Sequence, residues 1–122
     1  KIINKRKDLK KLEKIIHPLV RKQMINFIKK NKYKKLSFCE IPLLIESKLK
    51  KYFDITIFVK SSRSLRIKRF KLKKGNIDTF NFLDKQQIKD NIKMKYCDHI
   101  VVNNKSLRVL KKNLLNIIKL YE

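Results

Sequence analysis

The 122-residue sequence is poor in the residues that interrupt regular structure and in acidic side chains. It has one glycine, two prolines and no tryptophan or alanine, so Gly-, Pro- or Ser-rich linkers and low-complexity segments are excluded. No uninterrupted apolar run approaches the roughly 18 residues needed to span a bilayer, and the first residues lack the pattern of a secretory signal. We therefore expect a soluble, cytoplasmic protein without membrane partners.

The two cysteines are also few and widely separated. Cys39 and Cys97 each lie in an apolar run, with no His or Cys nearby at a spacing that suits metal ligation. This pattern predicts reduced, structural thiols and no metal site formed by this sequence.

Acidic residues number 10 against 34 lysines and arginines, which gives a formal net charge of +24. Such a charge is typical of nucleic-acid-binding proteins. However, most of it is lysine spread along the whole chain, and the abundance of Lys, Ile and Asn is what AT-rich codons impose on any protein. The sequence lacks an arginine-rich tail and zinc-finger spacing, so we expect no specific nucleic acid partner, although a small Lys-rich nucleic-acid-binding protein is the alternative. A polyanionic small molecule is compatible with the same charge.

The first quarter of the chain predicts an amphipathic helix. From Lys7 to Asn31, apolar residues recur at steps of three and four, which marks one helical face. Pro18 falls inside this pattern, and a proline removes a backbone donor and clashes with the preceding turn. We therefore expect a kink or break at His17, with Pro18 opening a second helix.

Three short apolar segments predict buried strands: residues 36–41, 54–60 and 99–103. Helical patterns lie between and after them, around residues 44–51, from the N-cap Ser62 to about residue 73, in two pieces over residues 79–95, and over residues 106–121. Gly75 and Asn76 are expected to form the turn that ends the helix after Ser62. Alternating strands and helices favour an α/β fold with a parallel sheet, in which ligands bind beyond the carboxyl ends of the strands.

Two motifs carry candidate binding residues near the start of this pattern. HPLVRKQM places His17 beside Pro18, where the histidine can cap a helix or contact a ligand. CEIPLLIES places Pro42 directly after a predicted strand, with Glu46 in the turn beyond. An acid at a strand end binds a hydroxyl or a metal, or it is simply a solvated helix residue.

Two further motifs carry cations and amides. Arg66, Arg69 and Lys73 are spaced to share one helix face, which can bind phosphates because arginine presents a planar fork of donors; the alternative is a solvated face. Asn103 and Asn104 end the last predicted strand, where their amides can recognise a base edge or cap the following helix.

The order and spacing of these motifs resemble the dephospho-CoA kinase family from about Leu12 to the end of the chain. The His-Pro-Leu-Val and Pro-Leu-Leu-x-Glu elements at this separation are the most specific. The family pattern of Gln, then Asp eleven residues later, then an apolar strand and Asn matches Gln87, Asp98 and Asn103.

The resemblance implies a three-layer P-loop kinase fold with a parallel sheet. It implies transfer of the ATP γ-phosphoryl group to the ribose 3′-hydroxyl of dephospho-CoA, the last step of coenzyme A synthesis. Residues 1–34 would form a helical CoA-binding region, 62–97 a lid, and 35–61 with 98–122 the core sheet and its flanking helices.

The same resemblance implies roles for individual residues. Arg69 would be catalytic, stabilising the transferred group from the lid. The residues expected to bind dephospho-CoA are His17, Pro18, Pro42, Leu43 and Glu46, and those expected to bind ATP are Arg66, Arg69, Lys73, Asn103 and Asn104.

The sequence also departs from the family pattern. Lys73, Lys74 and Gly75 stand where the family has Arg-Asp-Gly, and Lys105 replaces a glycine after the asparagine pair. No Gly-x-x-x-x-Gly-Lys-Ser/Thr loop is present, so we expect a fold incomplete at its N-terminus, with Mg²⁺ bound mainly by the part upstream of Lys1. We accordingly expect the 122 residues alone to be inactive and poorly folded. The sequence gives no indication of the oligomeric state.

Overall fold

The computed structural model describes residues 6–122, with side chains from Lys7 onward. This part of the chain falls into two compact units, one ending at Glu40 and the other running from Ile41 to Glu122. Residues 1–5 of the predicted helical region lie outside the described residues. Within those described, no helix is both long and apolar enough to cross a membrane.

The first unit contains one long helix, α1 (Arg6–Lys30), which continues through Pro18. The prediction of a break at His17 and a new helix at Pro18 is therefore wrong. A proline removes one helical hydrogen bond and costs about 3 kcal/mol in a helix interior. The remaining turns on both sides of Pro18 stay helical, and the apolar stripe keeps its phase across it.

The second unit contains a parallel sheet of two strands, β1 (Ile57–Lys60) and β2 (His99–Val102), in which Ile57 is paired with His99 and Lys60 with Val102. The prediction of an α/β fold with a parallel sheet is confirmed. The predicted strand at residues 36–41 is wrong, because this segment is irregular. An extended segment becomes a strand only when another strand accepts its backbone hydrogen bonds, and residues 36–41 have no such neighbour within residues 6–122.

Three helices lie between the strands, α2 (Arg63–Leu72), α3 (Ile77–Gln86) and α4 (Asp90–Tyr96), and a fourth, α5 (Leu107–Ile118), follows β2. Ser62 caps α2 as predicted, since its hydroxyl accepts from the backbone N–H of Leu65. Asn76 and Ser106 cap α3 and α5 in the same way. The polar stretch after Gly75 thus forms two helical pieces, as the sequence indicates.

The segment after Pro42 differs from the helix predicted around residues 44–51. It is a turn over residues 42–48, followed by a short 3₁₀ helix, Lys50–Tyr52. Leu43 and Lys48 both have φ near 57°, a left-handed conformation that a continuous α-helix does not contain. These two residues end any helix that the apolar pattern would otherwise favour.

In the second unit, two helices pack on the sheet and two helices pack on each other. Helix α5 packs on β2, α4 packs on β1, and α2 packs on α3. Val101, Leu49 and Phe80 are buried apolar residues, whereas Val59, Ile100 and Val102 remain about half exposed.

Cys39 and Cys97 are free and half-buried, and burial raises the pKa of the Cys97 thiol above 9.0.

Candidate functional site

The carboxyl ends of β1 and β2 meet at a cluster centred on Arg69. The guanidinium of Arg69 donates from Nη2 to the carbonyl oxygen of Asn103 at 3.0 Å and from Nη1 to Oγ of Ser61 at 3.2 Å. Ser61 also donates to the Asn103 carbonyl at 3.2 Å. Helix α2 therefore presents Arg69 at the edge of the sheet where parallel α/β folds bind ligands.

Backbone pairing continues past the strands at this edge. The N–H of Asn103 donates to the carbonyl of Lys60 at 2.7 Å, and Oδ1 of Asn104 accepts from the N–H of Ser62 at 2.9 Å. The asparagine pair thus holds the connection from β1 to α2 beside the end of β2. This leaves the amide nitrogen of Asn104 as a donor at the site.

The three arginines of α2 differ in their partners. Arg66 donates from Nη1 to Oδ1 of Asp84 at 2.6 Å, and Nε of Arg63 lies 3.6 Å from Oδ2 of the same carboxylate. The ion pairs found between residues 7 and 122 do not include Arg69, whose partners are a hydroxyl and a carbonyl. Arg69 therefore keeps its positive charge available, whereas that of Arg66 is compensated by α3.

The other cation predicted to share this face has a different environment. Lys73 follows α2 as its C-cap and is exposed. Its neighbour Lys74 has φ of 61°, and the backbone reverses there before α3 begins. Lys73 thus lies at the end of the α2–α3 hairpin, one turn beyond Arg69.

Glu46 makes a buried ion pair. Its Oε1 lies 2.7 Å from Nζ of Lys93 and accepts from the N–H of Ile88 at 3.0 Å, while Lys93 also donates to Oε1 of Gln87 at 2.8 Å. Burial opposes ionisation of Glu46, but the hydrogen bonds from Lys93 and from backbone N–H groups outweigh it, so the pKa of Glu46 lies below 4.5. Oε1 of Glu46 is thus held by Lys93 and by the backbone of Ile88, whereas its Oε2 is buried without a hydrogen-bond partner among the described residues.

Pro42 and Leu43 are exposed in the turn that precedes Glu46. The carbonyl of Leu43 accepts from both the N–H and the hydroxyl of Ser47, at 2.9 and 2.6 Å. These bonds close the turn around a left-handed leucine, which leaves its side chain on the surface.

His17 and Pro18 belong to the first unit, on the exposed face of α1. Together with Lys14, Arg21 and Lys22 they line a shallow, cationic groove along the helix. This face suits an anionic ligand by its charge.

Comparison with known proteins identifies the family. A sequence model described as dephospho-CoA kinase matches residues 1–108. The chain belongs to the dephospho-CoA kinase family.

Curated relatives with the same printed name agree with this assignment. The chain is 31% identical over 110 residues to a dephospho-CoA kinase of Rickettsia conorii, covering 89% of this chain and 58% of that protein. It is 31% identical over 121 residues to a dephospho-CoA kinase of Bartonella henselae, covering 97% of this chain and 62% of that protein. The chain therefore spans about three fifths of the curated relatives that it matches.

The site residues predicted from the sequence fall into separate groups in the structure of this dephospho-CoA kinase family member. Arg69, Asn103 and Asn104 come together at the end of the sheet, whereas Arg66 is turned to Asp84 and Glu46 to Lys93. Residues that the sequence did not single out, Ser61, Asp84 and Lys93, decide these contacts. No local signal could have found Asp84 or Lys93, because each meets its partner only after the chain has folded back by 18 or more residues.

Metal ligation is not a property of these side chains. Between residues 7 and 122, no group of three or more His, Cys, Asp or Glu side chains is arranged to hold a metal ion. The cluster around Arg69 contains neutral oxygens and a cation, a donor set that fits an anion and does not fit Mg²⁺.

Proposed function

We propose that this chain contributes the lid and nucleotide-facing sheet edge of an enzyme that transfers the γ-phosphoryl group of ATP to the ribose 3′-hydroxyl of dephospho-CoA. One observation supports this most directly. Arg69 carries an uncompensated guanidinium at the carboxyl ends of two parallel strands, in a chain of the dephospho-CoA kinase family. Phosphoryl transfer needs positioned positive charge more than any covalent chemistry from the protein.

Arg69 is the proposed catalytic residue. Its hydrogen bonds to Ser61 and Asn103 use two of the five guanidinium donors, which leaves others for phosphate oxygens. Because neither partner carries a charge, neither neutralises the guanidinium that would attract a phosphate. Negative charge that develops on the transferred group would be stabilised at no cost in reorganising the side chain.

The other residues proposed to contact ATP have different environments in the structure. Asn104 has a free amide nitrogen beside Ser62, which suits recognition of the adenine, with Asn103 supporting it through its backbone. Lys73 is exposed at the end of α2 and can neutralise phosphate after lid closure, although it lacks the arginine fork. Arg66 contributes positive potential while it is paired with Asp84.

In the first unit, His17 and Pro18 are proposed to bind dephospho-CoA through the groove of α1. In the second unit, Pro42 and Leu43 are proposed to bind dephospho-CoA through the exposed turn. Glu46 borders this turn and is engaged by Lys93, so it acts on the substrate through the turn. A multiply charged substrate of this kind accounts for a cationic groove without any requirement for nucleic acid.

Mg²⁺ accompanies ATP in the proposed reaction, and residues 7–122 contain no cluster of three or more His, Cys, Asp or Glu side chains that could hold it. We assign no step to the ion here. Because the reaction consumes ATP, we propose that it takes place in the cytoplasm.

The proposal is tested by joining this chain to the part of the Rickettsia conorii relative that it does not match. Transfer of labelled phosphate from [γ-³²P]ATP to dephospho-CoA is then measured. The joined protein is expected to label dephospho-CoA at the 3′ position, and Arg69→Gln in the same protein is expected to lower kcat by about 10²-fold.

The intact relative provides the positive control for the assay, and Arg63→Gln provides a matched substitution of an arginine whose partners are Asn81 and Asp84 on α3. A joined protein that folds, binds ATP and leaves dephospho-CoA unlabelled would contradict the proposed reaction. An equal loss in the Arg63 and Arg69 variants would contradict the catalytic role of Arg69.

A further inference from the structure

Helices α2 and α3 form a hairpin that leaves the rest of the second unit by two connections. The first runs from β1 through Ser61 and Ser62 into α2, and the second runs from α3 through residues 87–89 into α4. Arg63 donates to Asn81, Arg66 donates to Asp84, and Phe70 packs edge-on against Phe80, so the hairpin is tied together along its length. The two helices therefore form one packed piece with two connections to the rest of the unit.

Each connection is held by one side chain that accepts a backbone hydrogen bond from it. Asn104 accepts from the N–H of Ser62 at 2.9 Å, and Glu46 accepts from the N–H of Ile88 at 3.0 Å. Asn104 belongs to the sheet edge where Arg69 lies. Glu46 belongs to the 42–48 turn.

The Glu46 contact is the stronger of the two because Lys93 reinforces it. Nζ of Lys93 lies 2.7 Å from the same Oε1 and also donates to Gln87, which is the residue before Ile88. The Lys93 side chain is 8% exposed and that of Glu46 is 15% exposed, so water does not compete effectively for either charge. The ion pair thus joins three segments: the 42–48 turn, the connection after α3, and α4.

The turn that Glu46 belongs to needs such support. Leu43 adopts φ of 57°, which is an uncommon and strained conformation for a branched side chain, and its carbonyl is held by Ser47. A strained turn keeps its shape only where its surroundings hold it, and in this turn Glu46 reaches into the body of the unit.

We infer that Glu46 and Lys93 are positioning residues, which hold the 42–48 turn in its strained shape and fasten it to the base of the α2–α3 hairpin. On this basis Glu46 does not itself contact substrate; it sets the shape of the turn that does. The inference rests on the proposed function only where it names dephospho-CoA as the ligand of that turn. The fastening itself is a property of the fold.

The fastening is tested by NMR amide hydrogen exchange on the joined protein, in which this chain is completed by the unmatched part of the Rickettsia conorii relative. Lys93→Met removes the charge and both hydrogen bonds, and exchange at Ile88 is expected to accelerate by about 10-fold or more, since a charged hydrogen bond contributes that much or more. Amides at Ser62 and Val101 are expected to change by less than about 2-fold, because they lie at the other connection and in the sheet.

Lys93→Arg keeps the charge and is expected to retain most of the protection at Ile88. Uniform acceleration at Ile88, Ser62 and Val101 in Lys93→Met would overturn the inference, because it would indicate a global loss of stability. An Ile88 amide that already exchanges at the unfolded rate in the unmodified joined protein would overturn it as well.

The positioning role is tested by calorimetric titration of the same variants with dephospho-CoA and with ATP. Lys93→Met is expected to weaken dephospho-CoA binding by about 10-fold and to change ATP binding by less than about 2-fold, with recovery in Lys93→Arg. Equal losses for both ligands, or none for dephospho-CoA, would contradict the positioning role. An unmodified joined protein that binds neither ligand would count against the proposed function and against this named ligand, while the exchange experiment would still decide the fastening.

Discussion

Nη2 of Arg69 lies 3.0 Å from the carbonyl oxygen of Asn103, which joins the middle of helix α2 to the end of strand β2. The bond orients the guanidinium across the carboxyl ends of both strands without neutralising it. A cation in that position is available to an anionic ligand, and its orientation is set before the ligand arrives. The orientation of Arg69 therefore depends on this backbone oxygen together with the hydroxyl of Ser61.

Substitution of Arg69 should act on nucleotide binding far more than on folding. Arg69→Gln is expected to weaken ATP binding by about 10- to 100-fold, because one charge-assisted hydrogen bond contributes about 1.5–3 kcal/mol. The affinity is measured by calorimetry at fixed ionic strength. Arg63→Gln, at an exposed residue that is paired with Asp84, is the control and should change the affinity by less than about 3-fold.

Gly75 should tolerate no side chain, although its backbone conformation is ordinary. A Cβ atom built there would overlap the ring of Phe70, and that ring packs on the buried Phe80. Gly75→Ala is expected to lower the free energy of unfolding by about 1–3 kcal/mol through forced displacement of Phe70. Urea unfolding in a stabilising osmolyte measures this.

Lys74→Gly is the matched control for Gly75→Ala, since Lys74 has φ of 61° and glycine adopts that conformation without strain. It is expected to leave stability unchanged or to raise it by less than about 1 kcal/mol. A Gly75→Ala chain that is as stable as Lys74→Gly would refute the packing explanation.

Acid should weaken the Glu46–Lys93 pair. Because the pKa of Glu46 in the folded chain lies below its ordinary 4.5, its contribution to stability is fully present above 4.5 and is lost as the pH falls through the lowered value. Glu46→Gln is expected to be about 1–3 kcal/mol less stable than the unmodified chain near neutral pH. That difference should shrink as the pH falls from about 6 to about 3; a constant difference would contradict the assigned ion pair.

Thr56 should control the pKa of Asp98 at the opposite end of the sheet. Its hydroxyl donates to Oδ2 of Asp98 at 2.5 Å and its N–H donates at 2.8 Å, and these bonds hold the pKa of Asp98 below 3.8. Thr56→Val is expected to raise that pKa towards 3.8, whereas Thr56→Ser should leave it low. NMR titration of the Asp98 carboxyl carbon measures both, and an unchanged pKa in Thr56→Val would disprove the contribution of the hydroxyl.

Local sequence patterns predicted most helices and both strands of the sheet. Ser62 lies one residue before the start of α2, and its hydroxyl needs only the N–H of Leu65 three residues later, so the cap is a local property. The two strands are likewise readable as short β-branched runs, and the motif order indicated the family that the comparison then showed.

Two predictions of local structure were wrong for different reasons. In one segment the pattern needed a distant strand as its partner, and in the other the helical turns on both sides outweighed a helix-breaking residue. Residues 36–41 have the composition of a strand, but a strand needs a second strand to accept its hydrogen bonds. Pro18 is a residue that usually interrupts a helix, yet the turns on both sides of it keep α1 helical.

The sequence by itself determined the family, the α/β class, the position of Arg69 within a helix and the positions of Asn103 and Asn104 at a strand end. Only the tertiary structure decided which cations remain available, because Arg66 meets Asp84 and Glu46 meets Lys93 across gaps of 18 and 47 residues. Hydrogen-bond caps and hydrophobic periodicity act within a few residues, so they can be read from the sequence. Compensation of charge depends on distances through space, and these exist only once the chain has folded.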